Sequence, residues 1–207
     1  MLFLEGAPEP LGNIADKGFA IGVGNFLTGE IEVASNYAND WQQLYNEKNW
    51  AFVDPVIRMG LQGSDIQPWQ LGPDHSEFTT AANDFGLQSG WVASSFIGGS
   101  RCIAGLSATN TSNATHAKEI LGLVRKYHLQ QLVNKARSLS AGQLDLVNLF
   151  AMGLRTKEVA ATFGVSIDAI KQRKLTIQRH IGVTNFLVVV NVCTRVDVEN
   201  HLINHGH

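Results

Sequence analysis

The sequence predicts an α+β chain in two parts: an N-terminal α/β/α sandwich built on a small antiparallel sheet, then an all-α C-terminal domain. Three observations predict it. Two pairs of alternating apolar runs, each pair joined by a glycine-containing turn, lie before residue 110. A series of short helical segments, opened by capping residues and closed by glycines, fills 139–183. Charge divides along the same line, with 7 Lys/Arg against 13 Asp/Glu in residues 1–130 and 9 against 5 in residues 131–207. At 207 residues, 44% hydrophobic and 16% charged, the chain is long enough for two modest domains with their own cores. The expected boundaries are 1–133 for the first domain, 134–138 for a linker and 139–207 for the second.

Taken in order, residues 1–35 mix glycine with apolar residues. The run FAIGVGNF, followed across the LTGE turn by EIEVAS, predicts a β-hairpin. Gly18, Gly22 and Gly24 belong to that hairpin; they lack the strand–turn–helix setting and the Gly-Lys-Ser/Thr ending of a phosphate loop. From 36 to 62 apolar residues recur at helical spacing: Trp41, Leu44 and Tyr45, then Trp50 and Val53, then Val56 and Ile57. Asn39 or Asp40 is the expected cap of the first helix, and Pro55 suits the first turn of the next. Residues 63–76, around Pro68, Gly72 and Pro73, read as turns. A short helix is expected near 77–84, ending at Gly86. Two strands follow, at 90–97 and 101–109, about the turn Gly98-Gly99-Ser100, and then a helix from about Ala114 to Lys135.

The C-terminal segment LSAGQLDLVNLFAMGLRTKEVAATFGVSIDAIKQRKLTIQRHIGV carries the clearest punctuation. Ser140 and Gln143 form a capping box, with Leu139 and Leu144 as a hydrophobic staple. That helix stops at Gly153. Thr156 is the expected cap of a second helix, Lys157–Phe163, which stops at Gly164. Ser166 caps a third, with Asp168 in its first turn, where the helix dipole favours an anion. Ile167, Ile170, Ile177 and Ile181 form its core-facing stripe and leave Lys171, Gln172, Lys174, Leu175 and Gln178 outward. Two helices joined by a tight glycine-containing turn make a helix-turn-helix, whose second helix presents side chains to DNA base edges while flanking cations hold the phosphates. The candidate DNA contacts are Arg155, Lys157, Ser166, Asp168, Lys171, Gln172, Arg173, Lys174 and Arg179. A helical hairpin with a solvated basic face is the alternative.

In the first half, Tyr37, Trp41 and Tyr45 are spaced i, i+4, i+8 on one helical face, and Asp54 sits in an apolar stretch between Val53 and Pro55. A buried carboxylate needs donors. Two readings of Asp54 stay open at this point: a helix cap, or the acceptor of a ligand N–H.

These residues resemble a known family. Leu139-Ser140, Ala151-x-Gly153, Glu158-Val159-Ala160, Gly164-Val165-Ser166, Ile170-Lys171 and Ile181-Gly182-Val183 are similar to the C-terminal helix-turn-helix of LuxR-type quorum-sensing regulators. Asn36-Tyr37-x3-Trp41-x3-Tyr45-x8-Asp54-Pro55-Val56 with Trp69 is similar to that family's acyl-homoserine-lactone motif, and Asp84-Phe85-Gly86-Leu87-x-Ser89-Gly90 to its second motif. The resemblance implies an autoinducer-binding domain in which Trp41 donates to a lactone carbonyl, Asp54 accepts the ligand amide and Tyr37 bonds the acyl carbonyl. It further implies that Tyr45 and Trp69 line the pocket, that Gly90 permits close packing and that Ser107 reaches the head group; Trp91, bulky beside that expected pocket, is expected to limit the acyl tail. It also implies a fourth, dimerising helix at about Asn185–Val198. Locally FLVVVNVCTRV favours strand; a helix is expected there because Thr184 offers a cap and a strand would have no partner.

The reading is therefore a ligand-responsive transcription regulator, with an N-acyl homoserine lactone as the expected small-molecule ligand. It takes double-stranded DNA as partner and acts as a homodimer on a two-fold-related operator. The rival is a shortened interaction protein that forms a heterodimer with a full-length relative and inhibits it, or a regulator answering another ligand or none. No cofactor and no metal site is expected. Cys102 and Cys193 have no zinc-ligand spacing and read as reduced thiols, while His201, His205 and His207 read as a polar terminus. Nothing orients Cys102 with His116 or His128 as a nucleophile, so no enzyme is expected. MLFLEGAPEP is not a signal peptide, no apolar run reaches the length of a membrane span, and a cytoplasmic location is expected, which makes the sequons at Asn110 and Asn113 idle.

Overall fold

The computed structural model of the chain describes residues 2–3, 8–26, 28–111 and 114–205. It forms two compact units, Met1–Phe96 with Arg101–His128, and Ile97–Ser100 with Leu129–His207. The first holds an α+β arrangement around one sheet. In chain order its elements are β1 (Leu2–Phe3), α1 (Glu9–Ile14), β2 (Gly18–Asn25), β3 (Glu30–Ser35), α2 (Asn39–Glu47), a 3-10 turn (Trp50–Phe52), α3 (Pro55–Gln62), β4 (Ile66–Gln70), α4 (Glu77–Asp84), β5 (Ser89–Ile97) and β6 (Ser100–Ser107). Helix α5 (Ala114–Arg137) follows and runs on from the first unit into the second.

The strands lie in the order β1-β3-β2-β6-β5-β4. Both expected hairpins are present. The first pairs Ala20 with Ser35 through Asn25 with Glu30, antiparallel. The second turns at Gly98 and Gly99, both at positive φ, where a side chain is disfavoured. Strand β1 joins the edge parallel to β3, and with α1 it is an element the sequence does not announce. So is β4, in the stretch read as turns. Its antiparallel partner is β5, Trp69 opposite Gly90, and it lies at the edge of the sheet, where a Pro68 that cannot donate to a ladder is tolerated.

Alternation along the strands builds two cores. One face of the sheet carries Phe19, Ile21, Val23, Ala93, Cys102 and Leu106 against Ile120, Val124 and Tyr127 of α5. Trp91 belongs to this face, which corrects its expected place beside a ligand. The other face carries Trp69, Val92 and Ile103 under Val56 and Met59 of α3. Helix α3 lies directly on β6 because glycines leave room: a Cβ at Gly60 would be 2.5 Å from Ile103 Cγ2, and one at Gly105 2.8 Å from Val56 Cγ1. All four tryptophans and all three tyrosines of the chain belong to this unit.

The second unit contains the end of α5 and four further helices, α6 (Ala141–Ala151), α7 (Thr156–Phe163), α8 (Ile167–Ile181) and α9 (Phe186–His205). Residues 134–137 of the expected linker continue α5. The capping box forms with both of its bonds: Ser140 Oγ accepts from Gln143 N at 3.4 Å, and Gln143 Oε1 accepts from Ser140 N at 2.9 Å. Helix α7 begins one residue earlier than expected, since Glu158 accepts from the backbone N–H of Arg155 at 2.6 Å, leaving Thr156 inside the helix. Gly164 closes it in the left-handed region, φ 62°, and Ser166 caps α8 by accepting from Ala169 N. Ile170, Ile177 and Ile181 are fully buried, whereas Ile167, expected among them, is 42% exposed. The β-branched run is helical, as expected, and its first turn is closed by Asn185 rather than Thr184, the Asn185 side chain accepting from Leu187 N at 2.9 Å. Val189, Val192, Cys193 and Val196 then pack into the shared core, which gives those residues a helical role that local propensity does not supply. At the start of the 36–62 region, α2 begins after Ala38 without a side-chain cap, so neither Asn39 nor Asp40 caps it. His207, the side chain of His205 and Asn113 lie outside the described residues.

Candidate functional site

The expected ligand residues lie on or beside five elements of the first unit, α2, α3, β4, β5 and β6. Tyr37 precedes α2, Trp41 and Tyr45 lie within it one turn apart, and Asp54 sits at the start of α3. Pro55 sets the first helical φ of α3, and Asp54 Oδ1 accepts from Val56 N at 2.7 Å. The other oxygen, Oδ2, accepts from the Tyr45 hydroxyl at 2.8 Å. Asp54 is thus a cap and, at once, one half of a side-chain pair with the aromatic helix. Burial holds its carboxyl above the ordinary carboxylate range, and the bonds from Tyr45 and the backbone offset part of that rise. Burial raises the Tyr45 hydroxyl well above its usual value, and the neighbouring carboxylate pushes the same way.

A second polar pair lies on the sheet. The Tyr37 hydroxyl is 2.9 Å from Ser107 Oγ and donates to the Gly105 carbonyl at 3.3 Å. Desolvation raises the Tyr37 hydroxyl above the normal phenol range. Around these pairs runs a cluster of rings. Trp41 is 6% exposed, with ring centroids 5.5 Å from Trp50, 5.9 Å from Tyr45, 6.0 Å from Phe78 and 5.4 Å from Phe85. Trp50, Phe78 and Phe85 were not named as site residues from the sequence. Trp50 was visible as a helical-period aromatic, but nothing local brings Phe78 of α4 to it.

Trp69 stands apart from that cluster. Its indole N–H donates to the Leu106 carbonyl at 3.0 Å across Gly90, and a Cβ at Gly90 would lie 1.8 Å from that oxygen and 2.9 Å from Trp69 Nε1. A hollow of about 280 Å³ opens beside the C-terminal end of α3, lined by Met59, Gly63, Asp65, Ile66, Val92 and Ser94 among others. Arg101 fastens that end, donating to the Gly60 and Gly63 carbonyls and to Ser94 Oγ. None of the expected ligand residues lines that hollow; chemically, they offer a carboxylate acceptor, three hydroxyls and an indole beside aromatic rings, a set suited to a neutral, amphiphilic molecule. The thiol of Cys102 is buried and pushed up by desolvation, and His128 bonds Ser95 Oγ at 3.1 Å.

In the second unit the expected nucleic-acid residues fall into three groups. Arg155, Lys157, Ser166, Gln172 and Arg179 are exposed. Lys171 and Asp168, both exposed, pair at 2.9 Å. Arg173 lies 5.4 Å from the Phe163 ring centroid and Lys174 lies against two rings, so both are engaged with the unit's own aromatics.

A profile of the autoinducer binding domain matches residues 18–136, more than half of the chain. The transcriptional activator protein PhzR of Pseudomonas fluorescens is 26% identical over 183 residues, spanning 80% of this chain and 75% of PhzR. The transcriptional activator protein TraR of Agrobacterium vitis is 30% identical over 67 residues, 29% of each chain. The crystal structure of Escherichia coli SdiA shares the fold, with a TM-score of 0.52 at 16% identity over 93% of this chain and 92% of SdiA. SdiA in complex with octanoyl-rac-glycerol gives 0.51, over 92% and 88%. No single helix among the described residues is long and apolar enough to cross a membrane. The chain belongs to the autoinducer-binding-domain family of LuxR-type regulators.

Proposed function

We propose that this chain is a ligand-responsive, DNA-binding transcriptional regulator whose first unit takes an N-acyl homoserine lactone and whose second unit reads a two-fold-related operator as a dimer. The observation that carries the ligand half is the half-buried Asp54 carboxylate, held between Val56 N and the Tyr45 hydroxyl. Each carboxylate oxygen accepts more than one hydrogen bond, so Oδ2 has capacity for a ligand amide beside Tyr45. In this reading Trp41 donates to the lactone carbonyl, Tyr37 bonds the acyl carbonyl, and its partner Ser107 reaches the head group. Tyr45 and Trp69 supply walls, and Gly90 leaves room for the Trp69 indole to reach the Leu106 carbonyl. The DNA half is supported by the capped α7–α8 pair, joined through Gly164-Val165-Ser166, and by the exposed Arg155, Lys157 and Arg179 around it. Leu187 and Val198, 70% and 53% exposed on α9, are apolar surface suited to a second copy.

Binding to the folded state alone stabilises by mass action, about 2.7 kcal/mol at a hundredfold excess over Kd. Thermal melts of the full chain with lactones of graded acyl length, and with octanoylglycerol as the comparison suggested by the SdiA complex, test the ligand. A rise in Tm with one lactone series and none with octanoylglycerol is expected; a flat response to every lactone overturns the ligand assignment. Selection of bound duplexes from a random library tests the other half, and recovery of no two-fold-related site overturns it.

A further inference from the structure

Lys174 lies in the middle of α8, on the helix proposed to face DNA, yet its surroundings differ from those of the other cations there. Its ammonium nitrogen is 4.5 Å from the centroid of Phe150, on the last turn of α6, and 4.5 Å from the centroid of Phe186, the first residue of α9. Those two rings meet edge to face, 5.2 Å apart at 74°. The three groups close a triangle in which each ring turns negative π density toward the cation and the rings satisfy one another's quadrupoles. Lys174 is half-buried, while Lys171, Arg173 and Arg179 on the same helix are exposed. No carboxylate pairs with it among the described residues. Its pKa is lowered, with desolvation the cause. An ammonium that stays in such a corner, part dehydrated and without a counter-ion, is held by the rings.

We propose that Lys174 is a positioning residue: its ammonium, seated between Phe150 and Phe186, ties α8 to the end of α6 and the start of α9 and is thereby withheld from nucleic acid. The consequence is mechanical. Beyond the core they share, the helix that would read bases and the helix that would meet a second copy are linked through this side chain, so a shift of Phe186 is felt by α8. This inference rests on the proposed DNA-binding role for its functional meaning, while the tie itself is independent of it.

The test compares full-length Lys174→Met, which keeps the stem and drops the charge, with Lys174→Arg, which keeps a cation able to stack, and with Phe186→Leu. Proton spectra read the tie directly: the Lys174 ε-methylene is expected upfield of the other lysines through ring currents, and Phe186→Leu returns it toward them. Amide exchange of α8 reads positioning: Lys174→Met is expected to raise exchange there about three- to tenfold, corresponding to one cation–π contact, and Lys174→Arg to restore most of the protection. An unshifted methylene, or α8 exchange unchanged in Lys174→Met, overturns the proposal. Where a duplex is bound, the salt dependence separates the roles: Lys174→Met keeps the wild-type slope, and Arg179→Ala loses about one ion's worth. A slope that falls by the same amount in Lys174→Met also overturns it, by placing Lys174 on phosphate. Failure of the wild type to bind any duplex counts against the proposed function, with exchange and ring-current shifts still deciding the tie.

Discussion

At the scale of single residues, Asp54 shows how a cap and a proposed recognition group coincide. One oxygen begins α3 and the other holds Tyr45, so substitutions separate the two duties. Asn also caps helices well, so Asp54→Asn keeps the first and loses charge-assisted acceptance at the second. Asp54→Ala loses both. Urea melts are expected to place Asp54→Asn near wild type and Asp54→Ala about 1 kcal/mol below it, while thermal shifts with lactone vanish in both. A retained shift in Asp54→Asn would remove the carboxylate from the recognition role. The identities of Tyr37, Tyr45, Asp54 and Ser107 were legible in the sequence. That they meet as two pairs, Tyr45 with Asp54 and Tyr37 with Ser107, was not, because Ser107 arrives from a strand 70 positions away. At Gly90 the Leu106 carbonyl and the Trp69 indole occupy the space where a side chain would stand.

At the scale of elements, the second unit was the most legible because its boundaries are written in side-chain chemistry. Ser140 with Gln143, Ser166 and Gly164 each act where the sequence places them. The exceptions have local causes. Glu158 reaches back to Arg155 N and moves the start of α7, and Asn185 takes the closing bond that Thr184 was expected to take. Strand β4 was hidden by Pro68, whose meaning depends on lying at an edge that only the folded sheet defines. Helix α1 spans six residues, too short to build a period. Ser140→Ala removes the acceptor of the capping box and is expected to cost about 1 kcal/mol in the melt of the second unit. Ser140→Asp, which caps equally well and adds a charge favoured by the helix dipole, is expected to recover that loss; a neutral Ser140→Ala would mean that the Gln143 bond to Ser140 N carries the cap alone.

At the scale of the whole molecule, stability is tied to pH through His128. This side chain is fully buried against Ser95, and its pKa is pulled down to about 4, first by desolvation and then by the Arg101 charge. The folded state therefore keeps it neutral, while the unfolded chain protonates it below about 6.5. Below that pH the unfolded state binds more protons, so stability is full above about 6.5 and falls as pH drops toward 4. Between pH 7 and pH 5 the expected loss is about 2 kcal/mol, read from urea midpoints, and His128→Gln should flatten it. An unchanged slope in His128→Gln would assign the acid sensitivity elsewhere. The placement of the aromatic residues makes such experiments separable. Trp41, Trp50, Trp69 and Trp91, with every tyrosine, sit in the first unit, and none lies beyond residue 127. Tryptophan and tyrosine emission therefore reports on the first unit alone. Because Tyr45 touches both Asp54 and the Trp41–Trp50 rings, a guest that turns its hydroxyl away would change the protein's own glow, an unlabelled dye built into the proposed site.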